Sequence, residues 1–257
     1  MMEKTLSKFI LTCALLAMPS VAGAQKRVEG SVSADIVTQY IWRGQDLGGF
    51  SFQPTASLSW QGLSLSVFGS TGLDKEDPRE IDLTLGFQRW GVNIGVTDYW
   101  MSGIEKDNRY LYFDEFEGAH KLEANIGYSC KYFSLQAYTF FWGNDLKING
   151  ERAYSTYIEL TVPFKLGGVD WQVRGGMTPF ESAGWTEAMG DDGIASLLTK
   201  SYYDYAEGVA CLEASVRATK TMDIGFSKLP VFAELNVNPY LQTANVIFGV
   251  TVNPFCK

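Results

Sequence analysis

The sequence predicts an all-β fold, a single antiparallel transmembrane β-barrel of about 12 strands, and three observations carry that prediction. Beyond residue 27, apolar and polar residues alternate in runs of about ten, the period of a strand with one apolar and one polar face. The connectors between runs are alternately short and long, as when tight turns close one end of a barrel and loops the other. Trp, Tyr and Phe gather at the run ends, where an amphipathic ring meets lipid headgroups. A secreted β-sandwich also alternates, but it buries its apolar face in one core and seldom sets aromatics so regularly at strand ends.

The runs follow one another in order. The first, 28–42, is long and ends in Tyr40-Ile41-Trp42-Arg43-Gly44. The second, 51–60, is the cleanest: Phe52, Pro54, Ala56, Leu58 and Trp60 share one parity, and Ser51, Gln53, Thr55, Ser57 and Ser59 the other. After the Gln61-Gly62 turn, 63–70 repeats the pattern with Leu63, Leu65 and Val67 against Ser64 and Ser66. Runs 80–90 and 92–100 meet at Gly91, and runs 121–129 and 133–142 at 130–132. Runs 152–162 and 169–178 are joined by 163–168, runs 206–218 and 228–238 by 219–227, and 244–253 completes the set. Between these pairs lie the loops 43–50, 71–79, 101–120, 143–151, 179–205 and 239–243. An even strand number returns both termini to the periplasm. The 219–227 connector is long for a periplasmic turn, so either that strand pair extends below the membrane or its boundaries are displaced. Trp42, Trp60, Trp90, Trp100, Tyr128, Tyr132, Trp142, Tyr154, Phe164 and Trp171 stand where two interfacial girdles need them.

Residues 1–24 read as a signal peptide: Lys4 and Lys8 precede an apolar core from Phe9 to Met18, and Ala22-Gly23-Ala24 forms a small-residue cleavage site. The barrel then occupies 25–257. The leader holds Lys4, Lys8 and Glu3, a net +1, so the remainder of this −8 chain stands near −9. An acidic chain without a Lys/Arg cluster argues against nucleic acid as a partner. Outer-membrane lipid, the barrel insertion machinery and small polar solutes are the partners expected, with no cofactor. Cys130, Cys211 and Cys256 form neither a closed disulfide framework nor a zinc pattern.

Several stretches resemble the TorF-like family of small porins from Gram-negative outer membranes. Ser33-Ala34-Asp35-Ile36-Val37-Thr38-Gln39-Tyr40-Ile41-Trp42-Arg43-Gly44-Gln45-Asp46-Leu47-Gly48 is similar to the family's opening strand, with its aromatic-x-x-Arg-Gly motif. Gly150 to Tyr157, Pro163-Phe164-Lys165-Leu166-Gly167-Gly168 and Leu229-Pro230-Val231-Phe232-Ala233 resemble later parts of its members. The resemblance implies a small outer-membrane barrel and brings no catalytic or binding set with it. Many such barrels end on an aromatic residue read by the insertion machinery, whereas here Cys256 and Lys257 follow Phe255.

The inward parity collects charge: Asp35, Glu80, Asp82, Glu123, Glu159, Asp170, Glu213 and Glu234 against Arg43, Lys121, Arg174 and Arg217. One reading is a salt-bridged, partly filled interior, since modest barrels can pack side chains across the lumen. The other, taken forward here, is a narrow polar channel for passive passage of small solutes, with a weak cation preference from its excess carboxylates. A non-conducting structural or surface-binding barrel is the alternative, and a lipid hydrolase a more distant one. The single histidine, His120, lies at a loop–strand boundary, but no Gly-x-Ser-x-Gly elbow accompanies it, so no catalytic role is expected. Parity turns Tyr40 and Trp42 to lipid and Arg43 to the lumen, with Glu80 and Asp82 its foremost partners and Asp46 a weaker one. Two loops combine rings with carboxylates, Tyr110, Tyr112, Asp114 and Glu117 in one and Trp185, Tyr202, Tyr203 and Tyr205 in the other. They are expected to form a constriction folded into the barrel mouth, or ligand contacts.

Overall fold

The computed structural model describes residues 27–253 except 75–76, 103–108, 116, 147–150, 181–186, 190–194, 198–207 and 226. The expected signal peptide, Trp185, Tyr202, Tyr203, Tyr205 and Cys256 lie outside the described residues. Sixteen strands run in order: β1 (Glu29–Val37), β2 (Tyr40–Trp42), β3 (Gln45–Gly48), β4 (Ser51–Trp60), β5 (Leu63–Gly72), β6 (Glu80–Arg89), β7 (Val92–Met101) and β8 (His120–Ser129). They continue with β9 (Ser134–Trp142), β10 (Thr156–Leu166), β11 (Val169–Thr178), β12 (Glu187–Met189), β13 (Ala195–Leu197), β14 (Ala210–Asp223), β15 (Lys228–Asn238) and β16 (Thr243–Val252). Twelve of them pair antiparallel until the last meets the first, β1 lying between β4 and β16, so the sheet closes into a barrel.

The outer wall is what alternation demands of a strand in lipid. Leu58, Leu85, Ile94, Ile126, Val246 and Phe248 are exposed on it, as are Trp90, Tyr132 and Phe164 near the turns. A closed antiparallel wall satisfies every ladder hydrogen bond internally, which lets such a sheet cross a bilayer. This is an outer-membrane-type β-barrel.

One end carries tight turns, and both ends of the barrel's chain lie there with them. Gln61-Gly62, Trp90-Gly91 and Gly167-Gly168 each place two successive residues at positive φ, the geometry of the two-residue type I′ hairpin whose twist matches its strands. The loops occupy the opposite end.

Three sequence boundaries are corrected. The 163–168 connector shrinks to Gly167-Gly168 because β10 runs from Thr156 to Leu166 rather than over 152–162. Beyond Thr161 this strand has lost β9 and keeps only β11, and on such an edge Pro163 is tolerated. Likewise β14 runs on to Asp223, where 206–218 was expected, and Lys220 to Asp223 pair with β15 beyond β11's last partner, Thr219. The β14–β15 ribbon therefore projects past the wall at the short-turn end. Most consequentially, the 28–42 run is not one strand. It leaves the wall after Val37, and β2 and β3 form a separate two-stranded hairpin.

Candidate functional site: a hairpin seated across the lumen

Thr38 marks the departure. Its N–H still donates to the Phe248 carbonyl at 2.9 Å, and its Oγ1 accepts from the Phe248 N–H at 2.9 Å. The chain then turns inward. Trp42 pairs with Gln45, leaving Arg43-Gly44 as a two-residue turn with φ of 52° and 78°, the same type I′ geometry that closes the barrel's short-turn end. A Cβ on Gly44 would sit 1.9 Å from the Leu212 carbonyl oxygen on β14, so only glycine fits against that wall. Asn238 donates to the Gly44 carbonyl at 3.3 Å. The hairpin starts beside β1 and its tip touches the far side of the barrel.

Arg43 fixes the tip. Its Nη1 and Nη2 donate to the two oxygens of Glu123 on β8, at 2.6 and 2.9 Å, a bidentate pair in which Arg43 is 6% exposed and Glu123 2%. The guanidinium lies 4.4, 4.2 and 4.9 Å from the ring centres of Trp42, Tyr138 and Tyr157. Tyr99 donates to the same carboxylate at 2.9 Å and meets Trp42 and Phe140 edge to face. At the hairpin's base the Tyr40 hydroxyl donates to Glu80 at 2.7 Å, and Gln39 donates to Asp46 and Asn245 at 2.8 and 3.2 Å. Two expectations fall here. Tyr40 and Trp42 face the lumen rather than lipid, because the hairpin has left the wall that set their parity. Arg43 pairs with Glu123 rather than with Glu80, Asp82 or Asp46.

Arg174, Arg217, Glu213 and Glu234 form a second network on β11, β14 and β15. Arg174 reaches Glu213 at 3.2 Å and Glu234 at 3.5 Å, while Arg217 Nε donates to Glu234 at 2.5 Å. Glu213 also accepts from the Tyr157 hydroxyl at 2.7 Å and from Asn236 at 2.9 Å. Asp82 is buried beside Glu80, Lys121 is buried on β8, Asp35 and Glu159 are half-buried, and Asp170 pairs with Lys165 at the exposed rim.

Depth separates two environments. Toward the loops, inward side chains are buried: Ser51, Gln53, Glu80, Glu123, Phe140, Tyr157, Glu213, Glu234 and Asn236. Toward the tight turns, they are small, polar and only half-buried: Ser57, Ser59, Ser64, Ser66, Thr84, Asn93, Asn125, Ser134 and Gln136. Among the described residues, inward side chains are therefore packed in one half of the barrel and part-exposed in the other.

The described part of loop 102–119 does not enter the mouth. Tyr110 packs on Trp100, and Phe113 stacks on His120 at 4.0 Å. Both Trp100 and His120 share the parity of the lipid-facing Ile94 and Ile126, so these rings cover the outer face and the expected constriction is not made by them. Tyr112 lies over Arg109, and Asp114 accepts from the Glu117 N–H at 2.9 Å, contacts internal to the loop. His120 Nδ1 is 2.9 Å from Asp98 and its Nε2 is 2.6 Å from the Tyr110 carbonyl, so both ring nitrogens are engaged, neither by a serine. Burial and the nearby Asp98 carboxylate push the Tyr110 hydroxyl's pKa up. Arg152 ties this loop to loop 143–155 through Glu115. Within loop 143–155, the buried Asp145 accepts from the backbone N–H and hydroxyl of Ser155 at 2.8 and 2.5 Å. Burial raises its pKa despite those bonds. Cys130 and Cys211 are free thiols.

No family model and no curated protein matches the chain. Among solved structures, outer membrane phospholipase A from Escherichia coli is 10% identical, with 86% of this chain and 90% of that one covered and a TM-score of 0.36. The outer membrane phospholipase dimer of Salmonella typhi with bound calcium is 9% identical over 94% and 96%, with a TM-score of 0.37. A protein from a study of in-meso crystallization of membrane proteins is 9% identical over 87% and 82%, at 0.43. These matches are too remote in sequence and shape to assign an activity.

Proposed function

We propose that this chain is an outer-membrane barrel for passive passage of small polar solutes, narrowed by the 38–50 hairpin. The observation that carries this reading is the change in lumen character with depth. A wall of half-exposed Ser, Thr, Asn and Gln suits water and small solutes, and among the described residues the chain segment that crosses the lumen beyond it is a hairpin hung from the wall by two short connections. Selectivity among ions is weak, because Glu123, Glu213 and Glu234 are already paired with arginines. The half-buried Asp35 and Glu159 leave a mild preference for cations. The resemblance of the Tyr40–Gly44 stretch to TorF-like porins agrees with this assignment.

A barrel that does not conduct is the second reading, and the buried, bidentate Arg43–Glu123 pair favours it. Planar-bilayer recording in a salt gradient separates the two. A pore gives discrete steps that grow when residues 39–48 are replaced by a short Gly-Ser link. Absence of both steps and liposome swelling in that shortened barrel refutes passage.

A further inference from the structure

Between the first arm of the hairpin and the β11–β14–β15–β16 wall lies a cavity of about 70 Å³. Its two sides differ in chemistry. Arg174, Arg217 and Glu234 line one, and Val37, Ile41 and Ile247, with Gln39, Tyr40 and Gln53 beside them, the other. The hydrogen bonds on the polar side are unevenly used. Glu234 is largely used: Oε1 accepts from Arg174 at 3.5 Å and Asn236 at 3.4 Å, and Oε2 from Arg217 Nε. Arg217 is not. A guanidinium carries five N–H donors, of which this one commits Nε to Glu234 while its plane rests on Phe232 at 4.2 Å. Both Nη groups are left over, and Arg174's bonds, at 3.2 and 3.5 Å, are long. These two arginine side chains are also 32% and 21% exposed, whereas those of Glu213 and Glu234 are 1% and 3%. The guanidiniums are therefore the more open members of this network, and Glu234 the more enclosed one.

The group that satisfies two neighbouring guanidiniums best is a planar pair of oxygens. On the opposite wall Val37, Ile41 and Ile247 offer an apolar patch for an alkyl end. A water needs about 10–15 Å³ of such space, so several fit, which leaves room for a short-chain acid. We infer that this cavity binds a short-chain monocarboxylate, its carboxylate on Arg217 and Arg174 and its alkyl end against Val37, Ile41 and Ile247. The inference names a solute class for the passage proposed above and rests on that reading for its physiological sense. A cation is disfavoured at this spot although the lumen as a whole is mildly acidic, because two guanidiniums border it.

The test uses the refolded full chain with acetate as probe and chloride as reference at equal ionic strength. Acetate should raise the melting temperature saturably, and Arg217→Gln should weaken acetate binding at least tenfold. Nitrate, which has the oxygens without the methyl, should bind more weakly than acetate. An equal acetate response in wild type and Arg217→Gln overturns the assignment. Should Arg217→Gln not refold, isothermal titration of the wild type with acetate decides alone, and no saturable heat overturns it. Bilayer conductance is read in parallel. Conductance without acetate binding sinks this site and leaves passage standing, while acetate binding without conductance supports the site and sinks passage.

Discussion

Arg43 does its work by removing a buried charge's need for water. Glu123 is 2% exposed, and a carboxylate there is tolerable because a guanidinium meets both of its oxygens. Arg43→Ala takes away the cation and leaves the carboxylate, which typically costs about 3–5 kcal/mol. Urea unfolding of the refolded barrel, followed by Trp fluorescence, should show that loss. The double change Arg43→Met with Glu123→Leu should be milder than Arg43→Ala, since no charge is stranded. Asp145 makes a pH-dependent counterpart in the loops. Its folded-state pKa is raised above the usual value of 3.8 by burial. The proton is thus held more tightly folded than unfolded, and the associated stabilisation is complete below pH 3.8 and lost as pH rises through the folded value. Asp145→Asn removes that titration. Its melting temperature relative to wild type should climb as pH is raised from about 3 to 7, and a difference independent of pH would contradict the assignment.

The hairpin is the element on which the proposed passage turns, and Gly44 is what lets it seat. Gly44→Ala combines a positive φ with a Cβ 1.9 Å from a backbone oxygen, so the tip cannot stay against β14. Arg43, buried in the wild type, should then become a trypsin site in the intact barrel; continued resistance would mean that the wall yields instead. The sequence carried half of this. Arg43-Gly44 has the X-Gly signature of the other tight turns, and reading it with the same rule would have announced a hairpin over 40–48. The polar–apolar alternation concealed it, because Tyr40 and Trp42 continue the parity of Ile36 and Val32 without a break. Parity reports which residues share a face, not which wall the face belongs to. The partner was equally hidden: Glu123 lies 80 positions away in sequence and meets Arg43 only after the sheet closes. The longer β10 and β14 were missed for a simpler reason. Pro163 and Lys220 read as turn residues, whereas both lie where a strand has lost its neighbour on one side.

At the scale of the whole molecule, alternation, connector rhythm and strand number led directly to a closed antiparallel barrel of twelve strands. Period two fixes the lipid face residue by residue, as Leu58, Leu85 and Ile126 illustrate. Cross-lumen contacts follow no such period, so whether the interior is open was not legible, and composition alone counted acids that the fold hides behind arginines. A barrel closed by its own ladder should keep its fold in SDS until heated and migrate differently before and after boiling. The central claim is that a water-accessible half-lumen is obstructed by one hairpin. Single-channel conductance of the wild type beside the barrel shortened over 39–48 tests it most directly. The account predicts small steps in the wild type, several-fold larger ones once the hairpin is gone, and a reversal potential slightly on the cation side in both. Equal conductance in the two barrels, or none in either, would contradict it.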